Sequence, residues 1–213
     1  MLVCLKKTFY ERFNKRVDWK DAKSKDPFYI ERVMISHNET IKARRHVLNT
    51  LKELKISYDI ADNPKMVEET GYSLIIVVGG DGTMLDYAQR ISKVPVLGVN
   101  SSPSSSVGRF SYTGIDGLKD VLERIIAGVL KPVPLPRLKV VVEGKVLPYY
   151  ALNEVLFSSK CPAETSRYQL TVGSSQRSSG PQGCGSQAVP APQQQSILLE
   201  ERSSFLRTMF CSM

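Results

Sequence analysis

Short apolar runs divide the first part of the chain. Leu2–Leu5, Leu74–Val78 and Val94–Val99 are almost continuously apolar, as is typical of strands that are covered on both faces. Ile56–Ile60 alternates between apolar and polar residues, as a half-buried strand does. These four segments are predicted strands.

Apolar residues at helical spacing separate these runs. Ser36 and Glu39 have the S-x-x-E spacing of a capping box, which predicts that a helix begins there. The apolar residues that follow share one helical face: Ile41, Val47, Leu48, Leu51 and Leu54. A second helix is predicted from Thr83 towards Ile91. Asp116 is a candidate cap for a third, whose buried face is Leu118, Val121, Leu122, Ile125 and Ile126.

Strands and helices therefore alternate over residues 1–131, apart from a basic, polar stretch before Asp26 that is predicted to be a loop or a short helix. This alternation predicts an α/β fold, a Rossmann-like domain in which helices cover a parallel sheet.

The pattern changes after residue 131. Three prolines, at positions 132, 134 and 136, predict a stiff linker. Leu138–Val142 and Lys145–Tyr150, joined by Glu143-Gly144, predict a β-hairpin, and Glu154–Phe157 and Tyr168–Val172 are further candidate strands. Residues 132–172 are therefore predicted to begin a second, β-rich domain that is incomplete.

Residues 173–213 have a different composition. From Gly173 to Ser196 there is no Ile, Leu, Met or aromatic residue, and the segment consists mostly of Gly, Ser, Gln, Pro and Ala. Such a segment buries too little surface to offset the entropy lost on ordering. Taken by itself, this composition predicts a disordered tail.

The charge balance restricts the choice of partners. The net charge is +8 and the isoelectric point is about 9.3 over 213 residues. This excess suits an anionic partner, either nucleic acid or a phosphorylated small ligand, although a generally basic surface would have the same composition. No basic run is interleaved with aromatic residues, so the sequence predicts no nucleic-acid partner.

Cysteine usage and hydropathy indicate a cytoplasmic protein. None of the four cysteines forms a C-x-x-C pair or lies near a histidine, which favours free thiols in a reducing compartment and predicts no metal site. The apolar start is too short for a signal peptide, and no apolar run approaches membrane-spanning length. We therefore expect neither a membrane anchor nor a membrane partner.

The strongest chemical feature is Gly79-Gly80-Asp81-Gly82-Thr83, which lies between a predicted buried strand and a helix. Glycines at such a turn let backbone N–H groups approach a phosphate, and the helix presents its positive end to it. A carboxylate at this point is repulsive to phosphate unless it works through Mg²⁺ or accepts a proton, as a general base does. The alternative is that Asp-Gly simply makes a tight turn. The segment is neither a Walker loop nor G-x-G-x-x-G.

On these residues the chain resembles the NAD kinases. The family pattern has Gly-Gly-Asp-Gly-Thr after a buried strand, here Gly79 to Thr83, and then Gly-Val-Asn at a strand end, here Gly98 to Asn100. An Asn-Glu pair then opens a later strand, here Asn153-Glu154. Diacylglycerol and sphingosine kinases share the first motif and its fold, whereas the two later matches favour the NAD kinases.

The resemblance implies roles for these residues. Asp81 would contact the NAD ribose and act as general base towards its 2′-hydroxyl, and Gly79, Gly80, Gly82 and Thr83 would line the phosphate site. Asn100 would belong to the nucleotide site, and Asn153 and Glu154 would hold NAD by hydrogen bonds; for this pair alone the alternative is a solvated strand end.

The resemblance implies that the incomplete second domain is the start of a β-sandwich. It also implies ligands and an assembly. Mg²⁺ or another divalent cation, ATP or another phosphate donor, and NAD as substrate would be required, and the full-length protein would be a homo-oligomer. A lipid kinase of the diacylglycerol type and a non-catalytic nucleotide-binding remnant are the alternatives.

Two departures from the family pattern concern the later part of the chain. Ser101–Ser106 intervene before Val107-Gly108-Arg109-Phe110, where most members have a short Gly-rich stretch, so the chain is closer to the divergent mitochondrial-type branch. The family's second Gly-rich motif, Thr-Gly-Ser-Thr-Ala, does not occur in the chain.

That second motif is permitted in another reading frame. When each codon is started at its third base, the segment from Val189 to Ile197 permits Thr-Gly-Ser-Thr-Ala-Ala-Ile, and Ser196 to Arg202 permits His-Ser-Ala-Gly-Gly-Lys. A frameshift between about Gly173 and Gly180 would therefore explain the unusual composition of residues 173–213. The frame-restored chain, in which the reading frame is shifted back at this point, would contain the motif; the alternative is a natural low-complexity tail.

Overall fold

The computed structural model describes residues 1–5 and 7–157, together with strands at 168–172, 175–178, 187–190, 197–201 and 208–212. The described chain divides into two compact units, Met1–Val133 and Pro134–Met213, and each is considered by itself.

The first unit is built on a four-stranded parallel sheet with the order β2-β1-β3-β4. Its strands are β1 (Leu2–Leu5), β2 (Asp59–Ala61), β3 (Ile75–Gly79) and β4 (Val96–Asn100). The helices are α1 (Phe9–Phe13), α2 (Trp19–Lys25), α3 (Pro27–Glu53), α4 (Asp81–Ala88) and α5 (Leu118–Ile126), with a 3₁₀ turn at Pro64–Met66. The predicted α/β class and parallel sheet are confirmed.

The inner strand β3 is apolar on both sides, and both faces of the sheet are covered at this strand. All five residues of β3 are buried, and since successive side chains point to opposite faces, both faces of the strand are removed from water. Ile76 and Val78 belong to a cluster that also contains Val3 and Val99 of the sheet. The helices α3 and α5 add Ala43, Val47, Leu51, Leu118, Val121 and Leu122 to that cluster. Burial on this scale is the main source of stability for such a unit.

Two predicted helix starts are wrong. The helix α3 begins at Pro27, where Asp26 caps it by accepting a hydrogen bond from Tyr29 N at 2.9 Å, so Ser36 and Glu39 lie inside the helix instead of forming a capping box. Asp-Pro is itself a strong helix-start signal, because proline tolerates the first helical position. Asp116 does not cap α5, because the N-cap residue is Gly117 and no side chain bonds there.

The second unit is antiparallel. Its strands are β5 (Leu138–Val142), β6 (Lys145–Ala151), β7 (Glu154–Phe157), β8 (Tyr168–Val172), β9 (Ser175–Ser178), β10 (Gln187–Pro190), β11 (Ile197–Glu201) and β12 (Thr208–Ser212). Six of them form a sheet with the order β6-β5-β12-β11-β8-β9, and β7 pairs with β10. The predicted hairpin is present, and Glu143 and Gly144 at its turn both have positive φ, 50° and 75°.

The segment 173–213 supplies four of these strands, β9 to β12. The composition of the same segment predicts no packed structure, and the frameshift interpretation predicts that it is out of frame. Within the part of the chain that the structure describes, no helix is long and apolar enough to cross a membrane.

Candidate functional site

The Gly-rich segment forms the turn between β3 and α4. Gly79 is the last residue of β3, Gly80 is the N-cap residue of α4, and Asp81 is the first helical residue. The Gly80 carbonyl accepts hydrogen bonds from Thr83 N at 3.0 Å and Met84 N at 3.1 Å, which close the first turn. No side chain accepts a capping hydrogen bond at this end of the helix, so its first backbone N–H groups are not occupied by a capping side chain.

Two of the glycines are required by close packing. A Cβ at Gly79 would lie 2.5 Å from the Cβ and the Oγ1 of Thr83, and a Cβ at Gly80 would lie 2.5 Å from Ser106 Oγ. Both distances are shorter than side chains tolerate, so any larger residue would push the turn apart. Gly82 has open space around its Cα and is not restricted in this way.

Asp81 is held by one carboxylate oxygen. Its Oδ1 accepts a hydrogen bond from Phe110 N at 2.9 Å, and the residue is half-buried. Among the described residues, no hydrogen bond to the second oxygen, Oδ2, is present. The carboxylate is thus oriented by the backbone and keeps one oxygen for a ligand or a proton.

Asn100 lies beside this turn because β3 and β4 pair in register, with Gly79 opposite Asn100. Its Nδ2 donates to Ser106 O at 3.0 Å, and its Oδ1 accepts from Ser102 N at 3.1 Å. Both ends of the amide are therefore occupied by the segment 101–106, which we call the serine loop. In this arrangement Asn100 shapes the serine loop, and its predicted role in the nucleotide site stays a prediction.

The serine loop is also fastened to α3. Glu39 accepts hydrogen bonds from Ser102 Oγ at 2.6 Å and Ser104 Oγ at 2.7 Å. The buried hydroxyls of Thr40 and Ser101 lie 3.2 Å apart. The hydrogen bond from Ser102, supported by those from Ser104, lowers the pKa of Glu39 below its ordinary value of 4.5. The middle of α3 thus holds the loop that packs against Gly80.

We expect Glu39→Gln to lower the free energy of unfolding by on the order of 1 kcal/mol at pH 7, since it weakens two charge-assisted hydrogen bonds at a partly exposed position. Because folding lowers the pKa of Glu39, its stabilisation is fully present above pH 4.5 and is lost as the pH falls through the lower, folded-state pKa. Urea unfolding at several pH values measures the difference between variant and parent.

Glu31→Gln is the matched control, because Glu31 is an exposed glutamate on the same helix. A difference between Glu39→Gln and the parent chain that stays constant from pH 7 down to pH 3, or an equal loss in the control, would contradict the anchoring role.

A cavity of about 230 Å³ lies next to the turn. Its lining has hydroxyl groups, two cationic side chains and the glycines of the turn, and it consists of Lys7, Thr8, Phe9, Arg12, Ser36, Thr40, Val78, Gly79, Gly80, Thr83, Ser101, Ser102, Ser105 and Ser106. The sequence pattern does not indicate that Lys7 and Arg12 belong to a site, because they lie in the stretch that is predicted only to be a basic loop or a short helix. The spacing of Thr8 and Glu11 is that of a capping box, and it could have indicated that the helix α1 begins there.

The remaining predicted residues lie in the second unit. Asn153 is exposed in the turn that joins β6 to β7, and Glu154 is the first residue of β7, where it pairs with Pro190 of β10. Of the predicted site residues, the structure therefore brings together Gly79, Gly80, Asp81, Gly82, Thr83 and Asn100, all in the first unit.

A sequence profile described as the ATP-NAD kinase N-terminal domain matches residues 4–129, which is more than half of the chain. This chain belongs to the NAD kinase family. The match covers the whole turn from Gly79 to Thr83 and Asn100, so the resemblance predicted from these residues is confirmed.

Individual members of the family are similar over part of the chain. A rice protein (Oryza sativa subsp. japonica) named "Probable NADH kinase" is 33% identical over 150 residues, which are 63% of this chain and 46% of that protein. The NAD kinase of Natronomonas pharaonis is 33% identical over 117 residues, which are 54% of this chain and 43% of that protein. The chain thus spans less than half the length of these relatives.

Two solved structures show the same fold. An NAD kinase from Archaeoglobus fulgidus in complex with ATP aligns with a TM-score of 0.57 at 13% identity, covering 100% of this chain and 90% of that chain. Yeast NADH kinase complexed with NADH aligns with a TM-score of 0.59 at 11% identity, covering 99% of this chain and 79% of that chain. At these identities the likeness concerns the fold alone.

The residues of the turn fit a divalent cation only as part of a nucleotide complex. Among the described residues, no cluster of three or more His, Cys, Asp and Glu side chains could hold a metal ion. Mg²⁺ is commonly held by one or two carboxylates together with substrate phosphates, however, and Asp81 has one oxygen to which no described residue donates a hydrogen bond. The same oxygen can bind the cation or accept a proton, but not both at once; where Asp81 accepts the proton, the cation would be held by the phosphates of the nucleotide.

Proposed function

We propose that the protein encoded by the intact frame transfers a phosphate from a nucleotide donor to the 2′-hydroxyl of NAD and so produces NADP. The observation that carries this proposal is the position of Asp81. Its carboxylate is oriented by Phe110 N and stands at the first position of α4, directly after the two glycines that border the hydroxyl-lined cavity.

In this mechanism Asp81 is the general base. It accepts the proton of the ribose 2′-hydroxyl while the hydroxyl oxygen bonds to the transferred phosphorus and the bond from phosphorus to the donor's leaving oxygen breaks. Gly79, Gly80, Gly82 and Thr83 form the wall along which the phosphates lie. Mg²⁺, when bound with the nucleotide, neutralises phosphate charge as it does in other phosphoryl transfers.

The assignments of NAD and its donor draw on the relatives. The solved A. fulgidus enzyme is in complex with ATP and the yeast enzyme with NADH, which supports ATP as donor and a nicotinamide dinucleotide as acceptor. Asn153 and Glu154 would hold the dinucleotide by hydrogen bonds, and the exposure of Asn153 is consistent with that role. The long serine loop favours the divergent mitochondrial-type branch. We keep the cytoplasm as the proposed location and a homo-oligomer as the proposed assembly of the full-length protein.

We also propose the frameshift. In that case residues 1–131 are the nucleotide-binding domain, residues 132–172 begin the NAD-binding β domain, and residues 173–213 are translated out of frame. Sequencing the genomic DNA and the transcript across Gly173 to Met213 tests this directly. A transcript that encodes the present residues, in several independent clones, would exclude a sequencing error and leave a frameshift in the gene or a natural tail. If the shifted frame of that DNA does not encode Thr-Gly-Ser-Thr-Ala near Val189, the frameshift is overturned altogether.

The assay that tests the function uses the frame-restored chain with ATP and Mg²⁺. We expect NADP to form from NAD and no phosphorylation of diacylglycerol. Phosphorylation of diacylglycerol instead would favour the lipid kinase alternative, whose members share the Gly-Gly-Asp-Gly-Thr segment. Nucleotide binding without any turnover would favour the non-catalytic alternative.

A further inference from the structure

Asp81 is oriented by a tight turn of the chain. Its Oδ1 accepts the hydrogen bond from Phe110 N, and Ser111 N donates to Gly108 O at 3.0 Å, so residues 108–111 close on themselves around Phe110. We call these residues the Phe110 turn. Because a backbone N–H moves with its turn, the direction of the Asp81 carboxylate depends on how firmly the Phe110 turn is held.

The end of the Phe110 turn lies directly on β4. Tyr112 N donates to Gly98 O at 2.9 Å, and Asn100 N donates to Thr113 O at 2.9 Å. A Cβ at Gly98 would overlap Phe110 O, so only glycine lets the turn approach the strand this closely. The end of the turn is therefore tied to the sheet of the first unit.

The start of the Phe110 turn is packed against the side chain of Asn100. A Cβ at Gly108 would lie 2.5 Å from Asn100 Nδ2 and 3.1 Å from its Cγ. The amide cannot move aside without giving up its hydrogen bonds to Ser106 O and from Ser102 N. Gly108 also has a φ of 70°, a backbone conformation that disfavours residues with a side chain. Space and backbone conformation thus both require glycine at this position.

From these contacts we propose that Gly108, packed against Asn100, is a positioning residue for the general base of the proposed function. It holds the Phe110 turn where Phe110 N bonds one oxygen of the Asp81 carboxylate and leaves the other for the ribose proton. Neither Gly108 nor Asn100 has to touch a reacting atom, because both act through the backbone N–H of Phe110. The inference rests on the proposed function for the role of Asp81, whereas the contacts that hold the turn are independent of it.

Gly108→Ala in the frame-restored chain is expected to lower kcat by about tenfold or more, because even a small displacement of a catalytic group costs rate. The KM values for NAD and ATP are expected to stay within about twofold of the parent, since no ligand contact is removed. Gly128→Ala is the matched control. Gly128 has a φ of 71°, and an added Cβ there would meet no described atom within 4 Å beyond its chain neighbours. The control therefore carries the same backbone strain without the contact, and we expect it to lower the melting temperature similarly and to leave kcat unchanged.

Two double variants show which residues Gly108 acts through. In the Asp81→Asn background, Gly108→Ala is expected to change the remaining kcat by less than about twofold, because the base that it positions is already absent. In the Asn100→Ala background the added Cβ no longer meets an amide, so Gly108→Ala is expected to lower kcat by less than about threefold. A loss as large as in the parent background, in either double variant, would overturn the proposal.

Amide hydrogen exchange at Phe110 tests the same turn without an activity assay, in the 213-residue chain and in the frame-restored chain. We expect Gly108→Ala to speed this exchange by about tenfold or more and Gly128→Ala to leave it unchanged. If NADP forms and neither kcat nor exchange distinguishes Gly108→Ala from Gly128→Ala, the proposed function stands and the positioning role is wrong. If exchange responds as expected but no NADP forms, the Phe110 turn orients the Asp81 carboxylate and the proposed function is wrong.

Discussion

Asp81→Asn in the frame-restored chain is expected to lower kcat by about 10²-fold or more, the usual consequence of losing a general base. The substitution is nearly isosteric. An asparagine oxygen can still accept the hydrogen bond from Phe110 N, so the turn between β3 and α4 should keep its shape. What is lost is the negative charge and the basic oxygen, and both are needed to take a proton from the ribose hydroxyl.

The measurement is the rate of NADP formation at saturating NAD and ATP, with thermal unfolding of each variant as a check of folding. Asp116→Asn is the matched control, because Asp116 is an exposed aspartate in the same unit and does not cap α5. A kcat for Asp81→Asn within threefold of the parent would remove Asp81 from the chemical step. A fall in thermal stability equal to the fall in activity would assign it a structural role instead.

The sheet of the first unit could be predicted from the sequence because its strands carry local signals. The apolar run Leu2–Leu5 predicts both ends of β1 correctly, and the run Leu74–Val78 predicts β3 to within one residue at each end. The helix α3 is predicted only from Ser36 onwards. In its first turns, from Pro27, Ile30 is buried but the large apolar side chains of Phe28 and Tyr29 are exposed, so the apolar positions there do not follow the buried face.

The candidate site also has a part that the sequence predicts and a part that it does not. Gly79 to Thr83 is contiguous, so a local pattern contained both the turn and its chemistry. The contacts of Glu39 with Ser102 and Ser104 join residues 63 and 65 positions apart. The segment that contains Lys7 and Arg12 is likewise held by distant residues, because Thr8 and Glu11 contact α3. Contacts of such sequence separation leave no periodicity to detect. Sequence reasoning therefore assigned Ser36 and Glu39 a local capping role that Asp26 has instead.

The 213-residue chain is expected to form no measurable NADP, whereas the frame-restored chain is expected to be active. The present chain lacks the second Gly-rich motif that the family resemblance requires. Without this motif, part of the preorganised donor set that stabilises the transferred charge is absent, and such donors are commonly the largest contribution to catalysis. Binding at Gly79 to Thr83 is expected to persist, because that turn rests on the sheet of the first unit.

The second unit gives a physical reason to expect poor folding as well. The strand β6 lies at the edge of its sheet, and its apolar side chains Val146, Leu147, Tyr149 and Tyr150 are exposed by 37–53%. An apolar edge strand of this kind promotes association between chains, although Pro148 limits the pairing that it can form. The frame-restored chain would supply in-frame family residues in place of the Gly-, Ser- and Gln-rich segment.

The rival interpretation makes the opposite prediction from the same structure. If residues 173–213 are natural, the pairing of β5 with β12 in the register Val142 to Met209 is a native contact, and removing the segment should destabilise the second unit.

Three chains decide between a frameshift and a natural tail: residues 1–213, residues 1–172 and the frame-restored chain, compared by solubility, thermal melting and NADP formation. We expect the first two to melt alike, with one transition from the first unit, and only the third to add a second transition and activity. A cooperative second transition in residues 1–213 that residues 1–172 lack, or NADP formation by residues 1–213 at a rate comparable to the frame-restored chain, would show that the segment is native and that the second Gly-rich motif is dispensable.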